Sequence, residues 1–262
     1  MRERIGGTMA GGGASGDGPA QPSVKGRKAV VAGGTGLVGI ELVKLLLDDP
    51  RYARVVALTR RPGAIPPHPK LEERVVAYDR LEEALAGAAG DVLRDADVFC
   101  ALGTTIRQAG SQEAFRQVDY AYPLALGRLA KASGAAQLLI VTAMGADPRS
   151  RIFYSRVKGD VERALRGLGL PRLHIFRPSL LLGERQEVRA GERIAAALAP
   201  LWSAVLRGPL RKYKPIAGRA VAMAMVQAAV SEEAGGAAAA GAGDAIVYAS
   251  DRIAELAQRY AR

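Results

Sequence analysis

Residues 28–39 read Lys28-Ala-Val-Val-Ala-Gly-Gly-Thr-Gly-Leu-Val-Gly39, and this stretch decides the fold. The apolar run from Lys28 to Ala32 predicts a buried strand, and residues 37–47 carry apolar side chains at helical spacing. Between them, glycines recur in the pattern G-x-x-G-x-x-G. A strand, a glycine turn and a helix in this order are typical of the first unit of a dinucleotide-binding fold.

Each glycine of this turn is expected to have its own physical role. Gly33 permits the tight turn, Gly36 lets a pyrophosphate approach the backbone, and Gly39 lets the helix pack closely on the sheet. The start of the helix offers free N–H groups and the positive end of its dipole to phosphate. A glycine triplet alone is compatible with an ordinary loop, but its place on the first strand favours dinucleotide binding. The residues expected at the cofactor here are Gly33, Thr35, Gly36, Leu37, Val38 and Gly39.

Strand-like and helix-like patterns alternate up to about residue 180. The predicted strands are 54–58, 75–77, 96–102, 137–142 and 173–176, and the predicted helices are 81–88, 112–133 and 154–168. This alternation predicts an α/β fold with a Rossmann-type doubly wound parallel sheet and helices on both faces.

The C-terminal portion, from about residue 179, breaks this rhythm. Residues 184–235 are predicted to be mostly helical, residues 245–249 form a further strand, and residues 251–262 form a helix for which Asp251 is an available cap. We expect this small portion to lie on the substrate side of a single domain that spans residues 27–262. The glycine-rich residues 1–26 hold too few apolar side chains to offset the cost of ordering, so a disordered tail is predicted there.

Composition limits the possible classes of protein. The 262 residues fit one large α/β domain, and Cys100 is the only cysteine, which excludes an intramolecular disulfide. A reducing, cytoplasmic location is the expectation. The chain has only two histidines, so we expect no histidine-rich metal site. No apolar run reaches the roughly 18–20 residues of a membrane span.

The chain is basic, with 37 Lys and Arg residues against 26 Asp and Glu residues and a net charge of +11. The basic residues are mostly scattered, which is typical of a solvated surface. One denser segment contains Arg207, Arg211, Lys212 and Lys214. This segment is either a solvated loop or a contact site for an acidic partner, an anionic membrane surface or a negative ligand. No nucleic-acid-binding signature accompanies it, so no nucleic-acid partner is expected.

The end of the second predicted strand indicates which dinucleotide is bound. Arg60 and Arg61 stand about 20 residues beyond the glycines, where an acidic residue selects NAD and an arginine accommodates the 2′-phosphate of NADP. Two guanidinium groups can form forked hydrogen bonds to that phosphate, so NADP(H) is predicted. The alternative is that one or both arginines face solvent, and this alternative suits Arg61 better than Arg60. Asp79, after the third strand, is either an adenine contact or a helix cap.

Tyr154 and Lys158 follow the fifth predicted strand at positions i and i+4, so they share one helix face. A phenol is a poor acid–base group at neutral pH, and a neighbouring ammonium favours its ionised form. Such a pair can exchange a proton with a substrate oxygen. The spacing is common by chance on solvated helices, but its place in a dinucleotide fold favours catalysis.

The glycine turn, the Tyr154/Lys158 pair and Arg177-Pro178 together resemble the short-chain dehydrogenase/reductase superfamily over roughly residues 27–180. The chain is more closely similar to the atypical members typified by the Tat-interacting protein and its bacterial relatives. The segments that carry this likeness are 101–105 (Ala-Leu-Gly-Thr-Thr), 118–119 (Val-Asp), 145–147 (Gly-Ala-Asp), 154–159, 176–178 (Phe-Arg-Pro) and 185–187 (Arg-Gln-Glu). The resemblance implies a monomeric or weakly dimeric NADPH-binding protein that is capable of reductase chemistry.

The resemblance also assigns further positions. Leu102, Gly103, Thr104 and Thr105 would line the ribose and nicotinamide, and Pro178 would border the nicotinamide. Lys158 would also bind the ribose. The family places serines at positions 142 and 143, where this chain has Thr142 and Ala143. Thr142 either holds the substrate oxygen or is a strand residue that satisfies the backbone, and Ala143 has no hydroxyl at all.

Three functions follow from these observations. The first is an NADPH-dependent oxidoreductase that transfers hydride to a carbonyl or quinone-like small molecule. The second is an NADPH-binding regulatory protein with little turnover, which the Thr142-Ala143 departure and the basic segment favour. The third and weakest is an enzyme related to sugar-nucleotide epimerases and dehydratases, for which the chain is short.

Overall fold

The computed structural model describes residues 26–85, 92–182, 213–231 and 245–261. Within these residues the strands are β1 (Arg27–Ala32), β2 (Tyr52–Thr59), β3 (Leu71–Val75), β4 (Asp97–Cys100), β5 (Gln137–Val141), β6 (Leu173–Arg177), β7 (Leu181–Leu182), β8 (Ile216–Ala217) and β9 (Ala245–Ala249). The α-helices are α1 (Leu37–Asp48), α2 (Leu81–Ala84), α3 (Ile106–Ala109), α4 (Gln112–Arg116), α5 (Tyr122–Ala132), α6 (Phe153–Arg166), α7 (Gly218–Val230) and α8 (Ser250–Tyr260).

One parallel sheet organises the described part of the chain, with the strand order β3-β2-β1-β4-β5-β6-β9. The order reverses direction between β1 and β4, which is the point where open α/β sheets generally form a crevice beyond the carboxyl ends of the strands. Helices cover both faces, as predicted, and the Rossmann-type α/β fold is confirmed. None of the described helices is long and apolar enough to cross a bilayer.

Two apolar layers flank the sheet because side chains alternate along each strand. Val31, Val55 and Leu139 face the layer that contains α1, α7 and α8. Val30 and Leu138 face the layer that contains α2, α5 and α6. The C-terminal helices therefore complete the core beside α1. For example, a Cβ on Gly218 would lie 2.9 Å from Cγ of Leu37, so the start of α7 meets the start of α1.

The third strand and the cap of the last helix were predicted wrongly, and the helix predicted at 81–88 falls only partly within the described residues. The third strand lies at Leu71–Val75 rather than 75–77, because polar side chains can occupy this edge strand, where Glu72 pairs with Arg54 and Arg74. Of the helix predicted at 81–88, the structure describes α2 (Leu81–Ala84), and residues 86–91 lie outside the described part. Asp251 does not cap α8, since the helix begins at Ser250 and Asp251 falls in its first turn.

The helix predicted at 112–133 is continuous but not uniform. A π turn at Gln117–Ala121 separates α4 from α5, and Pro123 follows it in the first turn of α5. A π turn carries one extra residue and changes the direction of the side chains around it, and such turns are frequent at functional sites. Asp119 is buried in this turn.

Candidate active site

The glycine turn joins β1 to α1 and contacts the end of β4. Gly33 has a positive φ of 85°, and a Cβ there would lie 2.6 Å from the backbone of Ala101. A Cβ on Gly39 would lie 2.0 Å from the carbonyl oxygen of Gly33, so this position also tolerates no side chain. A Cβ on Gly36 would meet nothing closer than 3.4 Å. Gly33 and Gly39 are thus required by the fold, whereas Gly36 leaves the turn open on its outer side.

The start of α1 has the features of an anion site. Its N-cap residue, Gly36, offers no side-chain cap, and the first turn contains no acidic residue. The first helical bond runs from the Ile40 N–H to the Gly36 carbonyl oxygen at 2.9 Å, so the N–H groups of the first turn precede it. Val38 is buried and Thr35 is exposed. The uncapped helix start and the open space at Gly36 are the features that a bound pyrophosphate requires.

Arg60 and Arg61 are both exposed at the end of β2, and neither forms a hydrogen bond or an ion pair with another described residue. Asp79 lies in the 3-10 turn Tyr78–Arg80 and its Oδ1 accepts a hydrogen bond from the Tyr122 hydroxyl at 2.7 Å. No side chain caps α2, so the helix-cap alternative for Asp79 is wrong. Burial, followed by the hydrogen bond to Asp79, raises the pKa of Tyr122 to about 12, and the charge of Arg60 opposes this rise.

The loop after β4 contacts both the glycine turn and α6. A Cβ on Gly103 would lie 3.6 Å from Oδ1 of Asp119 and 3.9 Å from Nζ of Lys158. The Thr104 N–H donates a hydrogen bond to Oδ2 of Asp119 at 3.0 Å. The Thr105 hydroxyl accepts a hydrogen bond from the N–H of Gln108 and caps α3. Leu102 packs on the α5/α6 side of the core. Of the side chains predicted at the ribose, Thr105 therefore already has a structural role.

Tyr154 and Lys158 lie on one face of α6, as their spacing predicts. The Tyr154 ring packs on the buried ring of Phe115 with the centroids 5.6 Å apart, which fixes the phenol in place. Lys158 is 5 % exposed, and its Nζ lies 2.7 Å from Oδ1 of Asp119. This contact is a buried ion pair between the Lys158 ammonium and the Asp119 carboxylate, at a distance typical of charge-assisted contacts.

The Thr142 side chain points into the core. Its hydroxyl donates a hydrogen bond to Oε1 of Glu162 at 2.7 Å. Glu162 is fully buried on α6 and also accepts hydrogen bonds from the Arg177 guanidinium, one of them at 2.9 Å. Ala143, the neighbouring position, is partly exposed and has no hydroxyl. These contacts favour the structural alternative for Thr142 and give no support to its role at the substrate oxygen.

The remaining predicted positions lie around this centre. Pro178 is buried, and its carbonyl oxygen accepts a hydrogen bond from the N–H of Met144 at 2.9 Å, which ties the ends of β5 and β6 together. Cys100 is fully buried, and burial raises the pKa of its thiol to about 12. The thiol is therefore a core group, as predicted. Of the basic segment only Lys214 lies within the described residues, while Arg207, Arg211 and Lys212 lie outside them.

Three residues of this site were absent from the predicted set: Phe115, Asp119 and Glu162. Asp119 follows Phe115 by four residues, so an acidic group occurs on the apolar stripe of a helix. Glu162 likewise follows Lys158 by four residues. A charged group on a buried face needs a partner, so these positions carry a signal, but the sequence does not show which residue is the partner.

Comparison with known proteins agrees with this geometry. The chain matches the family model described as NAD(P)H-binding over residues 33–192. It is 35% identical over 172 residues to protein HTATIP2 of Rattus norvegicus, a match that covers 64% of this chain and 69% of that protein. It is 34% identical over 211 residues to the mitochondrial protein FMP52 of Eremothecium gossypii, with 78% of this chain and 89% of that protein covered.

Solved structures share the fold at low identity. MoeE5 in complex with UDP-glucuronic acid and NAD superposes with a TM-score of 0.59 at 16% identity, over 88% of this chain and 81% of MoeE5. An oxidoreductase of the short-chain dehydrogenase/reductase family from Burkholderia thailandensis superposes with a TM-score of 0.58 at 18% identity, over 90% of this chain and 97% of that protein. These similarities establish the architecture.

Proposed function

This chain belongs to the NAD(P)H-binding family and is a homologue of HTATIP2 and FMP52, and on that premise we propose that it is an NADPH-dependent oxidoreductase of the atypical short-chain dehydrogenase type. Its substrate is a carbonyl or quinone-like small molecule. The observation that carries the proposal is the contact path from the glycine turn to the tyrosine. Gly33 contacts Ala101 in the loop after β4, and Gly103 of that loop lies near Lys158. Lys158 in turn shares a helix face with Tyr154.

Three groups of residues would hold the cofactor in this proposal. The open start of α1 receives the pyrophosphate through the turn residues and the N–H groups of Leu37, Val38 and Gly39. The exposed guanidinium groups of Arg60 and Arg61 bind the 2′-phosphate. The predicted contacts of the adenine, ribose and nicotinamide are Asp79, Leu102, Gly103, Thr104, Thr105, Lys158 and Pro178.

Tyr154 is the general acid of the proposed reaction. Bound NADPH supplies the hydride. The Tyr154 hydroxyl donates a proton to the substrate oxygen, and the charged Lys158 ammonium favours the tyrosinate that remains. The same ammonium donates hydrogen bonds to hydroxyl groups of the ribose.

Two exposed apolar side chains that are close in sequence to predicted site residues support an apolar substrate. Ile152, two residues before Tyr154, is 66% exposed, and Leu180, two residues after Pro178, is 67% exposed. Burying such side chains against a ring or an alkyl chain is favourable, at about 25 cal/mol for each Å² of apolar surface. A quinone or an apolar ketone matches this surface better than a charged sugar nucleotide.

The second candidate function is an NADPH-binding regulatory protein with little turnover. The buried bond of Thr142 to Glu162, together with the missing hydroxyl at Ala143, favours it, because neither position then supplies a donor to the substrate oxygen. Both candidates require NADPH binding. They differ in whether a carbonyl or quinone is reduced.

The first experiment is a titration with NADPH and with NADH, followed by nicotinamide fluorescence. We expect much tighter binding of NADPH, and failure to bind either nucleotide would contradict both candidate functions. A panel of ketones, aldehydes and quinones then separates them, since only the oxidoreductase oxidises NADPH in a substrate-dependent manner.

Tyr154→Phe tests the assigned acid on any substrate found in this way. Loss of a general acid lowers turnover by about a hundredfold or more while NADPH binding is retained. Tyr260→Phe, which removes a phenol hydroxyl from α8, is the matched control. Unchanged turnover in Tyr154→Phe would exclude the proposed chemistry.

The proposal also covers the location of the protein in the cell and its oligomeric state. We propose a monomer or weak dimer located in the cytoplasm, with the basic segment as a weak contact for an acidic partner or membrane surface. The FMP52 relatives are named as mitochondrial proteins, so imaging of a tagged chain together with sedimentation analysis tests these points directly.

A further inference from the structure

Asp119 is a buried carboxylate that the proposed chemistry does not yet use. It lies in the π turn between α4 and α5 and is 1% exposed. One carboxylate oxygen accepts the N–H of Thr104 at 3.0 Å, and the other lies 2.7 Å from the Lys158 ammonium. These two contacts link three separate elements: the loop after β4, the π turn and α6.

The charge on Lys158 depends on its surroundings. Burial lowers the pKa of Lys158, but the carboxylate of Asp119 and the phenol of Tyr154 outweigh that effect, so the pKa lies above its ordinary value. Cys100, on β4, is the other titratable group near the ammonium, and burial keeps it as a neutral thiol. Asp119 is therefore the one carboxylate paired with Lys158 among the described residues.

We propose that Asp119 is a positioning residue of the active site, which keeps the Lys158 ammonium protonated and fixes it against the Gly103–Thr104 loop. This inference rests on the proposed function, in which a charged ammonium must face both the ribose and Tyr154. The ammonium has three N–H donors, so its contact with Oδ1 leaves donors available for the ribose.

The two contacts of Asp119 can be separated by substitution. Asp119→Asn retains an oxygen that can accept the Thr104 N–H but removes the charge that faces Lys158. Asp119→Glu retains the charge but displaces it by one methylene. Asp160→Asn is the matched control, since Asp160 is also on α6, two residues from Lys158, and pairs with Arg116 and Arg163 instead.

The first readout is the titration of Lys158 itself, followed by NMR of protein labelled at the lysine Cε. The chain has eight lysines, and Lys158→Met identifies the resonance. We expect Lys158 to deprotonate at a lower pH in Asp119→Asn than in the wild type, with no such change in Asp160→Asn. An unchanged midpoint in Asp119→Asn would overturn the proposal.

The second readout is NADPH binding. Loss of one charge-assisted hydrogen bond to the ribose weakens binding on the order of tenfold, and we expect this in Asp119→Asn. In the Lys158→Met background the same substitution should have no further effect. An equal effect in both backgrounds would overturn the proposed action through Lys158.

Asp119→Glu keeps the proposal testable if Asp119→Asn does not fold. We expect a Lys158 midpoint close to that of the wild type together with weakened NADPH binding, and wild-type binding would overturn the positioning role. A wild type that binds no NADPH, combined with the shifted midpoint in Asp119→Asn, would contradict the proposed function but not the control of Lys158 by Asp119. The two failures are thereby distinguished.

Discussion

The hydroxyl of Thr142 donates a 2.7 Å hydrogen bond to Oε1 of Glu162, within the core and beneath the site it was expected to serve. Glu162 extends from α6, and Thr142 follows the last residue of β5. Arg177, at the end of β6, forms an ion pair with the Glu162 carboxylate and neutralises its charge. The bond therefore holds the helix that carries Tyr154 against two strand ends, which is a structural role for a residue at a catalytic position.

Thr142→Val tests this role. The substitution conserves shape but leaves Glu162 with one donor fewer, so we expect a loss of about 1–2 kcal/mol in the free energy of unfolding. Thr142→Ser, which keeps the hydroxyl, is expected to unfold closer to the wild type. Urea denaturation measures both variants.

Turnover of Thr142→Val distinguishes the two interpretations. If the hydroxyl serves only Glu162, the folded variant should reduce substrate with a kcat/KM within a few-fold of the wild type. A fall of a hundredfold or more, with stability retained, would instead assign Thr142 to the substrate oxygen.

Gly36 and Gly39 are expected to respond differently to the same substitution. Gly39→Ala brings a methyl group to 2.0 Å from the backbone oxygen of Gly33, so we expect severe destabilisation, roughly 4 kcal/mol or more. Gly36→Ala meets only ordinary contacts, and its φ of −83° suits alanine.

We therefore expect Gly36→Ala to keep or slightly raise the thermal midpoint, because alanine loses less conformational entropy than glycine on folding. Its methyl group stands where the pyrophosphate approaches, and NADPH affinity should fall at least about tenfold. Thermal unfolding and nicotinamide fluorescence give the two values. A Gly36→Ala protein with normal NADPH affinity would contradict the assigned anion site.

Much of the fold could be predicted from local patterns. The apolar runs of β1, β4, β5 and β6 are buried on both faces and read clearly as strands, and glycine spacing marks the turn. β3 was misplaced because an edge strand needs few apolar side chains. The helix with the π turn was predicted as one uniform helix, since an extra residue in a turn leaves little trace in periodicity.

The site was harder to predict because its contacts are tertiary. Spacing places Tyr154 and Lys158 together, since both lie on one helix. It cannot place Asp119 beside Lys158, because the two residues belong to helices that meet only in the folded chain. Side-chain alternation puts Thr142 on the same side as Leu138 and Ile140, but only the topology shows that α6 covers that side.

Arg60 is expected to determine the preference for NADPH. Arg60→Ala should weaken NADPH binding at least about tenfold and leave NADH binding nearly unchanged, because only NADPH carries the 2′-phosphate. Arg61→Ala should also weaken NADPH binding, but by a smaller factor. Arg128→Ala, an exposed arginine of α5, controls for the change in net charge.

Salt provides an independent check on this prediction. The arginines are exposed, so their attraction to phosphate is screened, and NADPH affinity of the wild type should fall as ionic strength rises. Arg60→Ala should show a weaker dependence on salt. Equal preference for the two nucleotides in the wild type would refute the assignment of both arginines.

His174 is expected to make stability depend on pH. It is fully buried on β6, where its Nδ1 lies 2.9 Å from the Tyr248 hydroxyl. Burial, and secondarily the charge of Arg172, lowers its pKa from 6.5 to about 4. The unfolded chain therefore binds more protons between these values, and the stability contributed by the neutral ring is lost as pH falls from about 6.5 to about 4.

The expected size of this effect is about 1.5 kcal/mol between pH 6.5 and pH 5, a window above the titration of most carboxylates. Urea denaturation at the two pH values measures it. His174→Gln, which retains a partner for Tyr248, should reduce the difference in unfolding free energy between the two pH values, even if the variant is less stable overall. The control His68→Gln should leave that difference unchanged. A wild type equally stable at both pH values would mean that the His174 ring is protonated in the folded protein, and a polar partner for its second nitrogen would then have to exist.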